Sequence, residues 1–405
     1  MWNREPTVTT TLPGPTVGVV GGGQLGRMLG EAAAPLGIEV IVVDPTPDAP
    51  ASPVVADQIV ADFDDPDALA ELAERADYLT YEIELAGTGV LETVSQETGT
   101  PVHPKPETLS LIEDKLVQKR RLEDAGVPVP PFRGVDSVDD LRAALDELGY
   151  PAMLKAREGG YDGRGNVPIE SPDDVESAFA TIVDAAPGAT PEDPSGAAMV
   201  EAFVDFEREL AVMGVRGDGE RDTFPVTETI HREEILRETV SPPRADPAVR
   251  ERAREVALDV LDVMAGRGVF GIELFQGPDD EIFLNEIAPR PHNSGHWTIE
   301  GALTSQFEQH LRAVVGWPLG ATDRRSPTVT ANVLGDVDER QDATLRNVDH
   351  ALEADGASMH YYGKDEVYRL RKMGHVTQVG DDDADPGELL ERTRDVRDEL
   401  TFRSS

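Results

Sequence analysis

The sequence predicts an α/β fold that passes into α+β, and three observations carry the prediction. A strand, a glycine turn, a helix and a second strand follow one another over 16–44. Helical and extended periodicities go on alternating to about residue 110. From 199 onward strands outnumber helices, and they end in a hairpin at 269–286.

The elements follow in order. Residues 1–15 are polar and rich in Pro and Thr, which reads as a loose leader. TVGVVGGGQLGRMLGEAAAPLGIEVIVVD (16–44) is a βαβ unit whose turn, Gly21 to Gly26, fits G-x-G-x-x-G, with Asp44 ending the second strand. Such glycines allow a tight turn and the approach of a phosphate to a helix N-terminus. One match supports an α/β domain over 16–110 and says little for a dinucleotide. A second unit, 111–322, starts at LIEDKLVQKRRLEDAGVPVPPF, a helix stopped by Gly126 and a Pro-rich exit. Helix and strand alternate over 141–182 around a glycine loop, and 186–196 reads as an acidic, turn-rich insertion. The strands AMVEAFV, ERELAVMGVRG and DTFPVTETI precede a long helix at 246–265 and the hairpin, and 304–316 is a further helix. Short β segments such as TVTANVLG and HYYG mark a small unit over 323–385, and 386–405 forms a closing helix and tail.

Composition narrows the function classes. Acidic residues number 78 against 37 basic ones, for a net charge of −41, and only six of the basic residues are Lys. The acid is spread along helical segments, as in DPDALAELAERAD (65–77), so it describes a solvated surface rather than a disordered tail. Such a surface stays soluble in concentrated salt, which screens its self-repulsion, and a halophile's cytosol is the expected setting. No basic stripe exists to neutralise phosphates, which disfavours nucleic acid as a partner. Zero Cys excludes disulfides and thiolate chemistry. Neither an 18-residue apolar run nor a signal-peptide pattern is visible, so a cytoplasmic protein with no membrane partner is expected.

Two stretches carry chemistry. In VFGIELF (269–275) and EIFLNE (281–286) an odd-sum register puts Glu273 and Glu286 on one sheet face, directly or diagonally opposed. A hard dication relieves such a pair, and a polar surface hairpin is the plain alternative. The run that follows, NEIAPRPHNSGHW (285–297), packs a carboxylate, a guanidinium, two imidazoles and two amides together with little apolar filling. The other stretch is MLKAREGGYDGRGN (153–166), where Lys155 ends an apolar strand before a loop of Gly, Asp and Arg. It suits a backbone-amide cradle for polyphosphate, and equally a mobile turn; Tyr161 and Asp162 inside it favour the cradle. Glu201, Glu209 and His231 read by default as strand and surface residues. Arg371-Lys372, in RLRKMGH (369–375), is a rare positive spot in reach of an anionic substrate.

GGGQLGRML, DPTPDAPA, TYEIE, GGYDGRG, LNEIAPRPHNSGHWT and RKMGH occur in that order along 16–380. In this the chain resembles the ATP-grasp ligases, specifically the N5-carboxyaminoimidazole ribonucleotide synthases of purine biosynthesis. The resemblance implies a Rossmann-like N-terminal domain that binds no NAD, a two-lobed ATP-grasp domain and a small β-rich C-terminal domain. It implies ATP, Mg2+ and bicarbonate acting on aminoimidazole ribonucleotide by way of carboxyphosphate, a product passed to a separate mutase, and a homodimer. Glu273 and Glu286 match the Mg2+ ligands. Lys115, Lys155 and the loop Gly160, Tyr161, Asp162, Gly163, Arg164, Gly165 and Asn166 match nucleotide contacts. So do Glu201, Ala202, Phe203 and Val204 at the adenine, Glu209 at the ribose, and His231, Asn285 and Glu286. Arg290 and His292 match the bicarbonate and carboxyphosphate pocket, and Asp162 is the group expected to handle the proton of the attacking amine. Lys372 would approach the same centre, and Gln24, Leu25, Glu82, Tyr161 and Arg371 would join it in meeting the ribonucleotide. Lys115 stands where the family also has Arg, Asn166 where Gln is frequent, and the segment after Glu84 lacks an expected Asn-Val. A formate-dependent glycinamide ribonucleotide transformylase and an NAD-dependent dehydrogenase are the competing readings.

Overall fold

The computed structural model describes residues 10–159, 165–186, 189–190 and 193–403. Its first sheet is parallel, in the order β3-β2-β1-β4: β1 (Thr16–Val20), β2 (Glu39–Val43), β3 (Asp57–Ile59) and β4 (Tyr78–Tyr81). Both faces of β1 are covered, which is why TVGVV runs apolar without alternation. Helices α1 (Gln24–Ala33), α2 (Pro66–Arg75) and α3 (Thr88–Thr98) belong to this unit, and Asp65 caps α2 just ahead of a Pro at its first position.

The glycine turn at the end of β1 is shaped by two of the chain's own carboxylates. Gly22 N donates to Asp44 Oδ2 at 2.9 Å and Gly23 N to Glu82 Oε1 at 2.5 Å. These are amides that a dinucleotide pyrophosphate would use. Gly21 sits at φ +108°, and a Cβ there would lie 2.4 Å from Glu82 Cγ. Gly21→Ala therefore meets both backbone strain and a clash. It should cost about 2 kcal/mol or more, read as a lowered denaturant midpoint at unchanged slope.

Helices α4 (Pro106–Glu113) and α5 (Lys115–Asp124) lead into an antiparallel sheet, β5-β8-β6-β7. Its strands are β5 (Phe132–Val135), β6 (Ala152–Ala156), β7 (Asn166–Ile169) and β8 (Ala198–Ala202). Helices α6 (Val138–Leu148) and α7 (Val175–Ala185) pack their apolar stripes on it through Leu141, Leu145, Phe179 and Ile182.

The largest sheet runs β14-β13-β9-β11-β12-β15-β19-β17, with β10 (Arg221–Thr223) beside β9. It takes β9 (Arg208–Arg216), β11 (Thr227–Arg232), β12 (Ile235–Ser241), β13 (Gly268–Gln276) and β14 (Ile282–Ala288) from the central region. Helix α8 (Pro247–Val263) buries Val249, Ala253, Val256 and Val260 against it. The short α9 (Thr298–Gly301) and the longer α10 (Gln306–Val314) follow β14. One side of α10 joins the N-terminal core, where Phe307, Leu311 and Val314 pack with Leu25, Met28 and Leu29. His310, fully buried on α10, ties two sheets together: its Nε2 is 2.8 Å from Thr80 Oγ1 and its Nδ1 accepts from Val269 N.

The C-terminal strands β15 (Thr328–Leu334), β17 (Ala357–Tyr361) and β19 (Lys372–Val379) do not stand as a sheet of their own. They complete the large one, because β15 pairs β12 and removes what would be an open edge. Among the described C-terminal residues, β16 (Gln341–Asp342) and β18 (Glu366–Val367) pair separately, near α11 (Val348–Glu353). The closing helix α12 (Pro386–Asp398) is fastened by Arg394 and Arg397, whose NH2 groups reach the buried Glu238 of β12 at 3.2 and 2.9 Å. Among the described residues no helix is long and apolar enough to cross a membrane.

Candidate active site

A cavity of about 470 Å³ opens where the two antiparallel sheets meet the loop after β4 and the start of β19. Its lining includes Lys115, Lys155, Asn166, Glu201, His231, Glu273, Asn285, Glu286, Arg290, His292 and Lys372, all anticipated from sequence. Gly160, Tyr161, Asp162, Gly163 and Arg164 lie outside the described residues. Gly165 N-terminally flanks β7, and its carbonyl accepts from Ala156 N at 2.8 Å.

The nucleotide-side cations are built from α5 and β6. Asp114 caps α5 by accepting from Leu116 N and Val117 N, and it pairs with Arg157. Lys115 N donates to Arg157 O, so the first turn of α5 is locked to the end of β6. At the floor, Glu201 of β8 lies between two ammonium groups, with Lys119 Nζ at 3.0 Å and Lys155 Nζ at 2.5 Å. Burial alone would raise this carboxyl; the two lysines overcome it and hold it at about 2. Lys119 also donates to the carbonyls of Leu284 and Asn285, joining this sheet to β14. Sequence reading passed over Lys119. The signal was present in its i, i+4 spacing from Lys115, on one helix face, in a chain with six lysines.

The carboxylate pair lies on the β13–β14 ladder. Glu273 and Glu286 are direct cross-strand partners in an odd-sum register, but that register holds only away from the turn, where Leu274, Phe275 and Gln276 pair in an even-sum one. Between Glu273 and Leu274 the ladder shifts by one residue and leaves Asn285 without a partner, so Asn285 and Glu286 both line the cavity. Desolvation, and after it repulsion from Glu286 and Glu209, raises the Glu273 carboxyl to about 7 against the pull of His231. Its Oε1 is buried with no hydrogen-bond partner among the described residues. His231, on β11, has its Nδ1 2.9 Å from Glu209 Oε2, and its pKa is raised because that bond and nearby carboxylates outweigh desolvation. Glu209 thus stands behind His231 rather than on the cavity wall.

The run after β14 supplies the opposite wall. Arg290 NH2 meets both oxygens of Glu84, at 2.7 and 3.0 Å, while its Nε has no hydrogen-bond partner among the described residues. His292 caps a single turn over Asn293–Gly295, accepting from Ser294 N, and Ser294 Oγ lies 2.8 Å from its Nδ1. Desolvation, then Arg290 and Lys372, lowers its pKa well below the ordinary value, so the ring is neutral at physiological pH. Asn293, also on the wall and 7% exposed, has no hydrogen-bond partner among the described residues at either end of its amide. Glu84 and Asn293 carried no individual role from sequence. Their single-residue types give no signal until the fold turns them inward.

The remaining expected residues lie around this cavity and not on its lining. Glu82 is buried behind the glycine turn, and desolvation raises it to about 7 despite the bond from Gly23 N and the attraction of Arg290. Leu25 is a core residue of α1. Gln24 Oε1 accepts from Lys364 Nζ at 3.0 Å, and the same ammonium donates to Lys372 O at 2.6 Å. Lys364 therefore links the N-terminal turn to β19, a join that no local pattern announces. Arg371 donates to Glu366 O and stacks over the Tyr368 ring. Ala202 ends β8, and Phe203, 46% exposed, follows it with Val204.

Two antiparallel sheets closing on lysines, with a pair of facing carboxylates, define an ATP-grasp enzyme. The matched families agree: residues 120–307 match the ATP-grasp domain, 15–113 the ribonucleotide synthetase preATP-grasp domain, and 328–388 the phosphoribosylaminoimidazole carboxylase C-terminal domain. The chain is 41% identical over 374 residues to the N5-carboxyaminoimidazole ribonucleotide synthase of Brucella melitensis, covering 92% of this chain and 98% of that one. To the Bacillus subtilis synthase it is 37% identical, over 90% of this chain and 91% of that one. The crystal structure of the Thermotoga maritima synthetase superposes with a TM-score of 0.84 at 38% identity, covering 97% of this chain and all (100%) of the other. The Aspergillus clavatus synthase in complex with ADP and 5-aminoimidazole ribonucleotide does so with a TM-score of 0.84 at 33% identity, over 95% and 99%. The chain belongs to the N5-carboxyaminoimidazole ribonucleotide synthase family.

Proposed function

We infer that this chain converts 5-aminoimidazole ribonucleotide to N5-carboxyaminoimidazole ribonucleotide with ATP, a step of purine biosynthesis. The observation that carries the reading is one cavity in which lysines, two opposed carboxylates, Arg290, His292 and Lys372 converge from distant parts of the chain. Bicarbonate is the carbon source in this reading, and it attacks the γ-phosphorus of ATP to give carboxyphosphate and ADP. Carboxyphosphate then breaks to CO2 and phosphate, and the exocyclic amine adds to CO2 and loses a proton. Asp162 is the group proposed to take that proton.

Mg2+ fits the residues present. Glu273 holds a buried carboxylate oxygen without a hydrogen bond among the described residues, opposite Glu286, in a site that raises its pKa. Those two carboxylates would hold the ion, which supplies charge neutralisation for the polyphosphate. Lys115 and Lys155 are proposed to bind phosphate oxygens, with Glu201 fixing Lys155 in place. The stretch from Glu201 to Val204 is proposed to meet adenine and Glu209 the ribose. Arg290 and His292 are proposed to seat bicarbonate, Asn293 adding an amide whose two ends have no partner among the described residues. Gln24, Leu25, Glu82, Tyr161 and Arg371 remain the proposed contacts of the ribonucleotide.

The wider reading is inferred on other grounds. The −41 charge supports activity in concentrated salt. A cytoplasmic site, a homodimer and hand-over to a mutase rest on family membership alone. The test is ADP release coupled to product formation with aminoimidazole ribonucleotide and bicarbonate, across KCl concentrations. Phosphate release that needs formate and glycinamide ribonucleotide instead would overturn the assignment. Within that assay Arg290→Lys loses the planar fork, so the KM for bicarbonate should rise about tenfold while the KM for ATP stays within about twofold.

A further inference from the structure

Two histidines of the motif-bearing segments, His296 and His375, take no part in the chemistry above, yet both are completely buried and in contact. Their ring centroids are 4.9 Å apart, and His375 stacks in turn on His360 at 4.4 Å with an interplanar angle of 19°. His360 and His375 are direct cross-strand partners of β17 and β19. The stack is anchored at each end: His360 Nε2 lies 2.6 Å from Glu300 Oε1, and Tyr362 Oη lies 2.8 Å from His375 Nδ1.

The other end of this cluster reaches the cavity. Gln306 Nε2 lies 3.1 Å from His296 Nδ1 and donates to His292 O at 2.8 Å, while Gln306 Oε1 accepts from His292 N at 2.9 Å. One amide therefore grips the His292 backbone on both sides, and its Nε2 also donates to His296 Nδ1. Gly295 makes room for the grip, since a Cβ there would lie 2.6 Å from Gln306 Oε1. At the far side, His375 stands three residues beyond Lys372 on β19.

We propose that His296 and His375 are positioning residues for the carboxylation. They bind the strand that carries Lys372 to the turn that carries His292, so that both groups keep one mutual geometry. The observation behind this is that two imidazoles would not otherwise be chosen for a packed core. His296 Nε2 and His375 Nε2 have no hydrogen-bond partner among the described residues, a cost that aliphatic or Phe packing would avoid. What imidazole offers and Phe lacks is a ring nitrogen that accepts from Gln306 Nε2 on one side and hydrogen-bonds Tyr362 Oη on the other. Burial lowers the His296 pKa to about 3 and that of His375 well below its ordinary range, so both rings are neutral at physiological pH and His296 keeps its acceptor for Gln306.

The inference rests on the reading that His292 and Lys372 face the carboxylating centre. The experiment compares His296→Phe with His296→Asn in ADP release and product formation, with melting temperature recorded for each. Phe keeps ring volume and loses the acceptor; Asn loses volume and places an oxygen near the position of Nδ1. We expect His296→Phe to lower kcat for product about tenfold, with ADP release exceeding product and the KM for ATP within about twofold, as displaced reacting groups would give. His296→Asn should recover turnover to within about threefold of the parent, even though it melts lower. A packing role alone gives the reverse order, Phe active and Asn impaired in step with stability, and that order overturns the proposal. Tyr362→Phe, which removes one hydroxyl, is the milder probe. Parent turnover and coupling in both Tyr362→Phe and His296→Phe also overturn it. Failure of the underlying reading is separable, because His292→Asn would then itself keep full turnover.

Discussion

Glu273→Gln is expected to reduce turnover by about a thousandfold or more, and at the same time to stabilise the metal-free protein at pH 8. The first effect follows from removing one of two carboxylates that would hold Mg2+, the ion that would neutralise charge on the transferring phosphoryl group. The second follows from the titration. Glu273 has a folded pKa near 7 against an ordinary 4.5, raised by desolvation and by facing Glu286. Folding therefore favours its protonated form. The stability this contributes is complete below pH 4.5 and is lost as the pH rises through 7. A neutral amide carries no such loss, so the variant in EDTA at pH 8 should melt about 5 °C above the parent, with the gap closing near pH 4. Adding Mg2+ should raise the melting point of the parent and not of the variant. A parent that melts at the same temperature from pH 5 to 8 in EDTA would sink this account of Glu273.

Glu201→Gln should do the opposite to stability. Its carboxylate lies between Lys119 and Lys155, and without it two neighbouring ammonium groups remain with no counter-charge between them. The expected loss is about 3 kcal/mol or more, read by denaturant unfolding. Here the folded pKa, about 2, lies below the ordinary 4.5, so the contribution is present above 4.5 and fades as the pH falls toward 2. Removing a charge on the other side, Lys119→Met in the Glu201→Gln background, should return a large part of the loss; additive losses would refute the coupling. The two carboxylates line one cavity and titrate some five units apart, near 2 and near 7. Counter-charge makes the difference, for desolvation pushes both upward.

Much of this was legible in the chain. The strand–turn–helix–strand period at 16–44, the hairpin at 269–286 and the helix at 246–265 are local patterns, and the structure forms β1, α1, β2, β13, β14 and α8 there. That Glu273 and Glu286 would meet across the hairpin was legible in part; the one-residue shift between Glu273 and Leu274 that makes them direct partners was not, because the pairs nearest the turn run in the other register. Lys119, Glu84, Lys364 and the His296–His375 contact were not. Each joins residues more than seventy positions apart, and no local period encodes such a meeting.

The glycine turn marks the boundary between the two kinds of information. Sequence determined that Gly21 to Gly26 would make a tight turn at a helix start, because only glycine tolerates the φ of +108° at Gly21. Tertiary structure decided what the turn holds. Its amides meet Asp44 and Glu82, brought in by the parallel pairing of β1 with β2 and β4. In the same way the sequence supplied Lys372, and the closing of β19 onto β15 in one continuous sheet put it on the wall with His292. Local backbone preference is written residue by residue. Proximity between distant segments arises only when apolar faces such as those of α10 and the large sheet are buried together.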